Sequence, residues 1–256
     1  MPTLDAHQSN RSIKLLLLGD SGTGKTGALA SLVAADYKLR ILDLDNGLDP
    51  LKVYAPHDKL KNVSFKTIRD KYKATQLGAI VDGIPSAYVE ALKSLTDWGE
   101  GLGKPSDWPD DNIVVIDSLS LLSRAAYDWA DALNPGAKDK RQVYGQAQNS
   151  IMNVIAMLTS EHFKPSVIVI AHVKYQEYQD GTTKGFPTAV GTAIGPEIMK
   201  FFSHAGLVEK TGTGNSLQRV IRFSPTAVVD AKSPLQFAAP LPVATGLATF
   251  FAQARK

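Results

Sequence analysis

The segment Gly19-Asp20-Ser21-Gly22-Thr23-Gly24-Lys25-Thr26 constrains this chain more than any other. It matches G-x-x-x-x-G-K-[ST], the phosphate-binding P-loop, whose setting is a buried strand followed by a helix. Its glycines let successive backbone N–H groups point inward at phosphate oxygens. The helix that follows adds the partial positive charge of its N-terminus. Lys25 is expected to reach the β- and γ-phosphates and the Thr26 hydroxyl to bind Mg²⁺, so residues 19–27, through Gly27, form the expected nucleotide site. The context has the required order. Ile13 to Leu18 reads as a short buried strand, and Thr26 to Ala35 as a helix with Ala28, Leu29, Leu32 and Val33 at helical spacing. Gly22, Gly24 and Gly27 also spell G-x-G-x-x-G, the dinucleotide fingerprint. In that motif the first glycine closes the strand directly, whereas Gly22 lies three residues beyond Gly19, and the Lys-Thr pair has no role there.

At 256 residues the chain can bury a substantial core as one α/β domain. The polar segment Met1 to Ser12 lacks an apolar signal core and is expected to be a flexible arm before a single domain over residues 13–256. A net charge of only +3 means that any nucleic-acid surface must be local. The absence of cysteine excludes disulfides, thiolate catalysis and Cys-ligated zinc, and it fits a reducing cytoplasm. No apolar stretch is long enough to span a bilayer.

Alternation of strand and helix patterns predicts a mostly parallel central sheet flanked by helices, with a more β-rich C-terminal part. Strands are expected at Leu39 to Asp45, Val63 to Ile68, Asn112 to Asp117, Val167 to Ala171, Gly206 to Lys210 and Leu217 to Phe223. Helices are expected at Ile84 to Trp98, Leu119 to Leu133, around Val143 to Leu158, and near Ala248 to Ala254. Gly99 to Asp111 and Tyr175 to Gly195 read as loops, the second long enough to suggest function.

Asp117 ends an apolar strand, the Walker B arrangement in which an Asp holds Mg²⁺ through water. Ligands of parallel sheets sit beyond the carboxyl ends of strands, so Gly19, Asp45, Asp117 and His172 can share one rim. Asn-Ile-Val-Val-Ile-Asp-Ser-Leu-Ser-Leu-Leu, residues 112–122, resembles the Walker B segment of RecA-type recombinases. Leu42-Asp43-Leu44-Asp45-Asn46-Gly47 is similar to the segment that carries the superfamily's catalytic glutamate; here Asp45 stands there, a methylene shorter. Val167 to His172 resembles the strand ending in the γ-phosphate sensor, and Ile194 to Phe202 the stretch after the DNA-binding loop. The resemblance spans roughly residues 12–235. A bare core of this size is similar to phage-encoded RecA-like ATPases, including Sak-type single-strand annealing proteins.

That resemblance implies an oligomeric ATPase, a ring or filament, that acts on single-stranded DNA in recombination, repair or annealing, in the cytoplasm of a bacterial host, with a single-strand-binding protein as a further partner. It implies ATP and Mg²⁺ as ligands and Lys25, Asp45, Asp117 and His172 as the catalytic group. Lys174, Tyr175, Tyr178 and Lys184, in or beside the long loop, are candidates for DNA contact, since cations and aromatics suit sequence-tolerant binding of single strands. The basic run Lys59, Lys61, Lys66, Arg69, Lys71 and Lys73, with Phe65 and Tyr72, offers a second DNA surface or simply a solvated face. Arg219, Arg222 and Lys232 are candidates for a cation that completes a neighbouring subunit's site in trans. Two other readings stay open: a P-loop kinase-type enzyme acting on a small substrate, and a non-hydrolytic, ATP-dependent assembly switch.

Overall fold

The computed structural model describes residues 3, 11–76 and 78–256, the side chain of Asn215 aside. Most of the expected N-terminal arm therefore lies outside the described residues. At its end Ser12 is buried, and its hydroxyl donates to the Pro165 carbonyl at 2.9 Å.

The chain begins with β1 (Lys14–Leu18), the P-loop, α1 (Lys25–Ala28), α2 (Ala30–Ala34), β2 (Lys38–Asp43), α3 (Asp49–Tyr54) and β3 (Val63–Thr67). The hairpin β4 (Tyr72–Thr75) and β5 (Gly78–Val81) leads to α4 (Ala87–Thr96), β6 (Asn112–Asp117), α5 (Leu119–Leu133), α6 (Lys140–Thr159) and β7 (Ser166–Ala171). A second hairpin, β8 (Val173–Glu177) and β9 (Thr183–Pro187), is followed by α7 (Ile194–Lys200), β10 (His204–Thr211), β11 (Gln218–Arg222), β12 (Leu241–Pro242) and α8 (Gly246–Ala254).

Eight strands form one sheet in the order β12-β11-β10-β1-β7-β6-β2-β3. The six from β10 to β3 are parallel, and β11 and β12 extend it antiparallel. Every residue of β1, β6 and β7 is buried, as continuous apolar runs require when helices cover both faces. Alternation sorts the side chains. Leu16 and Leu18 face a core built with α4, α5, α6 and α7; Leu15 and Leu17 face a second core with Leu32, Leu51, Phe250 and Phe251. The expected parallel sheet with flanking helices is the observed fold.

Three local expectations need correction. The helix expected over residues 26–35 starts at Lys25 and breaks at Leu29 into two short pieces. The strand expected to reach Asp45 stops at Asp43, because the Leu44 and Asp45 N–H groups turn to donate to the Asp117 carbonyl. The segment expected as a loop from Tyr175 to Gly195 is mainly the β8–β9 hairpin. Its turn uses Gly181 at φ +80°, and Asp180 accepts from the Thr182 N–H and hydroxyl. Among the described residues no helix is long and apolar enough to cross a membrane.

Candidate functional site

The site grows from the carboxyl ends of neighbouring parallel strands. Past β1 the P-loop holds Gly22 at φ +72° and Gly24 at φ +102°, left-handed backbone that glycine adopts without penalty. At Gly19 the demand is space, since a Cβ there would lie 2.5 Å from the Val208 carbonyl oxygen. Lys25 Nζ donates to the Gly19 and Asp20 carbonyls, both at 2.8 Å, and lies 3.5 Å from His172 Nδ1. The Thr26 hydroxyl donates to Asp117 Oδ2 at 2.7 Å, joining the P-loop to the end of β6.

The turn after β2 carries Asp45 over β6. Asp45 Oδ1 accepts from the Ser118 N–H at 3.1 Å and the Ser118 hydroxyl at 2.8 Å, and Oδ2 lies 3.6 Å from His172 Nε2. Asp43 points elsewhere. Its carboxylate accepts from the Gly47 N–H at 3.2 Å and lines a separate cavity of about 380 Å³. His172 is fixed by its own N–H, which donates to Ser120 Oγ at 3.1 Å. Lys25, Thr26, Asp45, Asp117 and His172 are thus brought together around one cavity of about 840 Å³, a size that suits a nucleotide. Tyr54 and Pro50 line it on the β2 side, and Arg219, Pro242 and Val243 come from the C-terminal strands.

The inner part of the site sets two carboxylates, Asp45 and Asp117, against one ammonium, Lys25. Burial pushes the Asp117 carboxyl up from 3.8 to about 6; Asp45 and Asp43 push the same way, while the Thr26 hydrogen bond and Lys25 oppose. Burial also acts to raise Asp45, but the His172 imidazole and the Ser118 hydrogen bonds outweigh it and hold that carboxyl below its ordinary value. Burial lowers the Lys25 ammonium, against the pull of Asp117, Asp20 and Asp45. Hydroxyl and carboxylate oxygens are the donors a hard divalent cation prefers. No cage of three or more His, Cys, Asp or Glu side chains exists among the described residues. An ion drawn to Thr26 and Asp117 must complete its shell with phosphate and water, as Mg²⁺ does.

This charge imbalance carries an expected result. In the folded state Asp117 holds a proton between pH 3.8 and about 6 that the unfolded chain has released. Its ionisation therefore costs stability progressively as pH rises from 3.8 to about 6. Asp117→Asn removes that cost and should stabilise the nucleotide-free protein by about 1–3 kcal/mol at pH 8 and by about half as much at pH 5. Denaturant unfolding at the two pH values checks this. A variant no more stable than the parent at pH 8 contradicts it.

The remaining candidates are dispersed. Lys174 and Tyr175 sit on β8, Tyr178 in the turn and Lys184 on β9. Cross-strand pairing of Gln176 with Lys184 and of Tyr175 with Gly185 puts Lys174 and Lys184 on one face of the hairpin and Tyr175 on the other. Lys184 is paired with Asp230 at 3.2 Å, and the Tyr175 hydroxyl donates to Asp20 of the P-loop at 3.2 Å. In the basic run, Lys59 is paired with Asp36, Lys73 with Asp82, and Lys66 lies 5.3 Å over the Trp98 ring, so these cations are engaged one by one. Of the three finger candidates, Arg222 is paired with Glu209 at 2.7 Å, and the Lys232 backbone pairs with Ala205 on the edge of β10. Arg219 stands in this chain's own cavity, its Nε donating to the Gly22 carbonyl at 3.4 Å.

Sequence reasoning missed Ser118 and Ser120 as holders of Asp45 and His172, and Tyr54 as a wall of the cavity. The two serines stand in the segment that resembles Walker B, a local signal; Tyr54 has none, because it reaches the P-loop only through the packing of α3 on α1.

Similar solved structures include a prototypical ATPase from the type III secretion system of pathogenic bacteria, at 14% identity and a TM-score of 0.45, covering 77% of this chain and 52% of that one. The chain thus spans about half the length of that protein. Another is the flagellar accessory protein FlaH from Methanocaldococcus jannaschii, at 12% identity and a TM-score of 0.42, covering 91% and 87%. A third is a KaiC-like protein from Pyrococcus horikoshii OT3, at 10% identity and a TM-score of 0.40, covering 82% and 76%. The sequence matches no curated protein. An AAA domain model matches residues 11–235, a span that takes in the P-loop, Asp45, Asp117, His172 and Arg219. On that match the chain belongs to the AAA domain family of P-loop ATPases.

Proposed function

We propose that this chain binds and hydrolyses Mg-ATP and couples its nucleotide state to single-stranded DNA held at the β8–β9 hairpin, in recombination, repair or single-strand annealing. The observation that supports it most is how the hairpin joins the site. β7 ends at Ala171, His172 faces Asp45 and Lys25, and Val173 begins the hairpin. The Tyr175 hydroxyl returns to Asp20. The hairpin therefore joins the site at two points, by chain continuity through His172 and by the Tyr175 hydrogen bond to the P-loop.

Thr26 and Asp117 would hold Mg²⁺, which when bound offsets phosphate charge. Lys25 binds the β- and γ-phosphates. Asp45 orients a water for attack on the γ-phosphorus and accepts its proton as the bond to the β-phosphate oxygen breaks. Loss of the γ-phosphate releases Lys25 and His172, and the hairpin that follows His172 responds.

Fluorescence anisotropy with labelled oligonucleotides tests the DNA half. Single strands should bind better than duplex, because exposed bases stack on aromatic rings for ~1–3 kcal/mol per base. Tyr178 is 41% exposed at the hairpin's end and Tyr175 50% exposed, so both can offer a ring face. Affinity should fall with salt and rise with ATP over ADP. Alanine at Lys174 and Tyr178 together should weaken binding by about tenfold or more. No single-strand binding at low salt with ATP rejects this part and promotes an enzyme acting on a small substrate.

A further inference from the structure

We propose that Lys210 and Arg219 bind the polyphosphate of the nucleotide held by their own chain, so that the site draws its outer cations in cis. The inference rests on the nucleotide reading above and adds two residues to it. Lys210 and Arg219 are directly opposed in the antiparallel β10–β11 pair, so their side chains leave the same face of the sheet. That face also carries Val208 and Ile221, which pack in the core shared with α1, α2 and α8. It is the face on which the P-loop lies, since a Cβ on Gly19 would stand 3.3 Å from Val208 Cβ.

The two cations meet the loop from outside. Lys210 Nζ lies 3.7 Å from where a Cβ on Gly22 would stand, and Arg219 Cδ lies 3.1 Å from that of Gly24. Among the described residues neither forms an ion pair, whereas Arg222, three positions on and facing the other way, is bound to Glu209. The strand's alternation therefore separates a cation held by a carboxylate from two that carry no ion pair among the described residues. The cavity needs them. Asp45 and Asp117 outnumber Lys25, so its inner lining is net negative, and a ligand with several phosphate charges requires further positive charge at the mouth. Arg219 lines the same cavity as Lys25 and Thr26 without help from a second copy.

The test is the affinity for a fluorescent, non-hydrolysable ATP analogue, measured on wild type, Arg219→Ala and the double variant with Lys210→Ala. Both side chains are exposed, so the folds should persist, and a thermal melt confirms that they do. Charge-assisted contacts of this kind imply a loss of about tenfold for Arg219→Ala and more for the pair. A second arm mixes Lys25→Ala subunits with Arg219→Ala subunits. Cis action predicts turnover no greater than the sum of the separate proteins. Action in trans predicts restored turnover, because a Lys25→Ala neighbour still offers its Arg219. Wild-type affinity in the double variant, or restored turnover on mixing, overturns the proposal. A wild type that binds no analogue rejects the nucleotide reading itself, and this inference with it.

Discussion

Lys25→Ala should lower nucleotide affinity by about 10²–10³-fold and leave no measurable turnover. Lys25 is buried, and its ammonium sits between the Gly19 and Asp20 carbonyls, beside His172 and within the field of Asp117, Asp20 and Asp45. Alanine removes the charge-assisted contacts to two phosphates, each worth ~1.5–3 kcal/mol. It also leaves the carboxylates of the cavity without their internal cation, so an incoming polyphosphate meets uncompensated negative charge. The fold should survive, since the P-loop backbone is set by its glycines and by the Thr23 hydroxyl, which donates to the Asp20 carbonyl at 2.9 Å. Calorimetric titration of ATP into both proteins is the measurement. Equal affinity and equal turnover would remove the P-loop assignment.

Those contacts were legible in the sequence because the motif is local: eight consecutive residues define the phosphate cradle, and Asp117 closes an apolar run of its own. The central strands were legible for a related reason. Asn112–Asp117 and Ser166–Ala171 are buried on both faces, so each shows as an unbroken apolar run. Helix α5 came out with its expected bounds, Leu119–Leu133, ahead of the breaker Asn134-Pro135-Gly136.

The β8–β9 hairpin was not legible. Its composition, rich in glycine and threonine, reads as loop. What supports it is distant in sequence: the Gly185 N–H donates to the Val228 carbonyl, and a Cβ on Gly185 would lie 2.8 Å from Val173 and from Val229. The sidedness of Arg219, Arg222 and Lys210 was equally hidden. All three are ordinary cations in a β-rich stretch, and only the β10–β11 register shows which of them face the P-loop. The choice between Asp43 and Asp45 also needed the structure. Both acids end the same apolar strand, but the Asp117 carbonyl captures the Leu44 and Asp45 N–H groups and turns Asp45 into the cavity.

Asp45→Asn should keep ATP affinity within about threefold of wild type while lowering turnover by about 10²–10³-fold, the range for losing a general base or water-orienting carboxylate. The amide keeps the size of the side chain, and its oxygen can still accept from the Ser118 N–H and hydroxyl, so the turn after β2 should hold. What is lost is the capacity to accept a proton and the negative charge facing His172 at 3.6 Å. The observed geometry keeps this carboxylate ionised: its pKa lies below the ordinary value despite burial. It is therefore available as an acceptor at neutral pH, whereas the more deeply buried Asp117, pushed up to about 6, is suited to a cation. That division of labour between two carboxylates in one cavity is what the variant tests. Single-turnover hydrolysis measured beside equilibrium binding separates the two effects. Unchanged turnover would reduce Asp45 to a brace for Ser118 and favour the reading of this chain as an ATP-dependent assembly switch. A loss of binding equal to the loss of turnover would place Asp45 in nucleotide recognition instead of water activation.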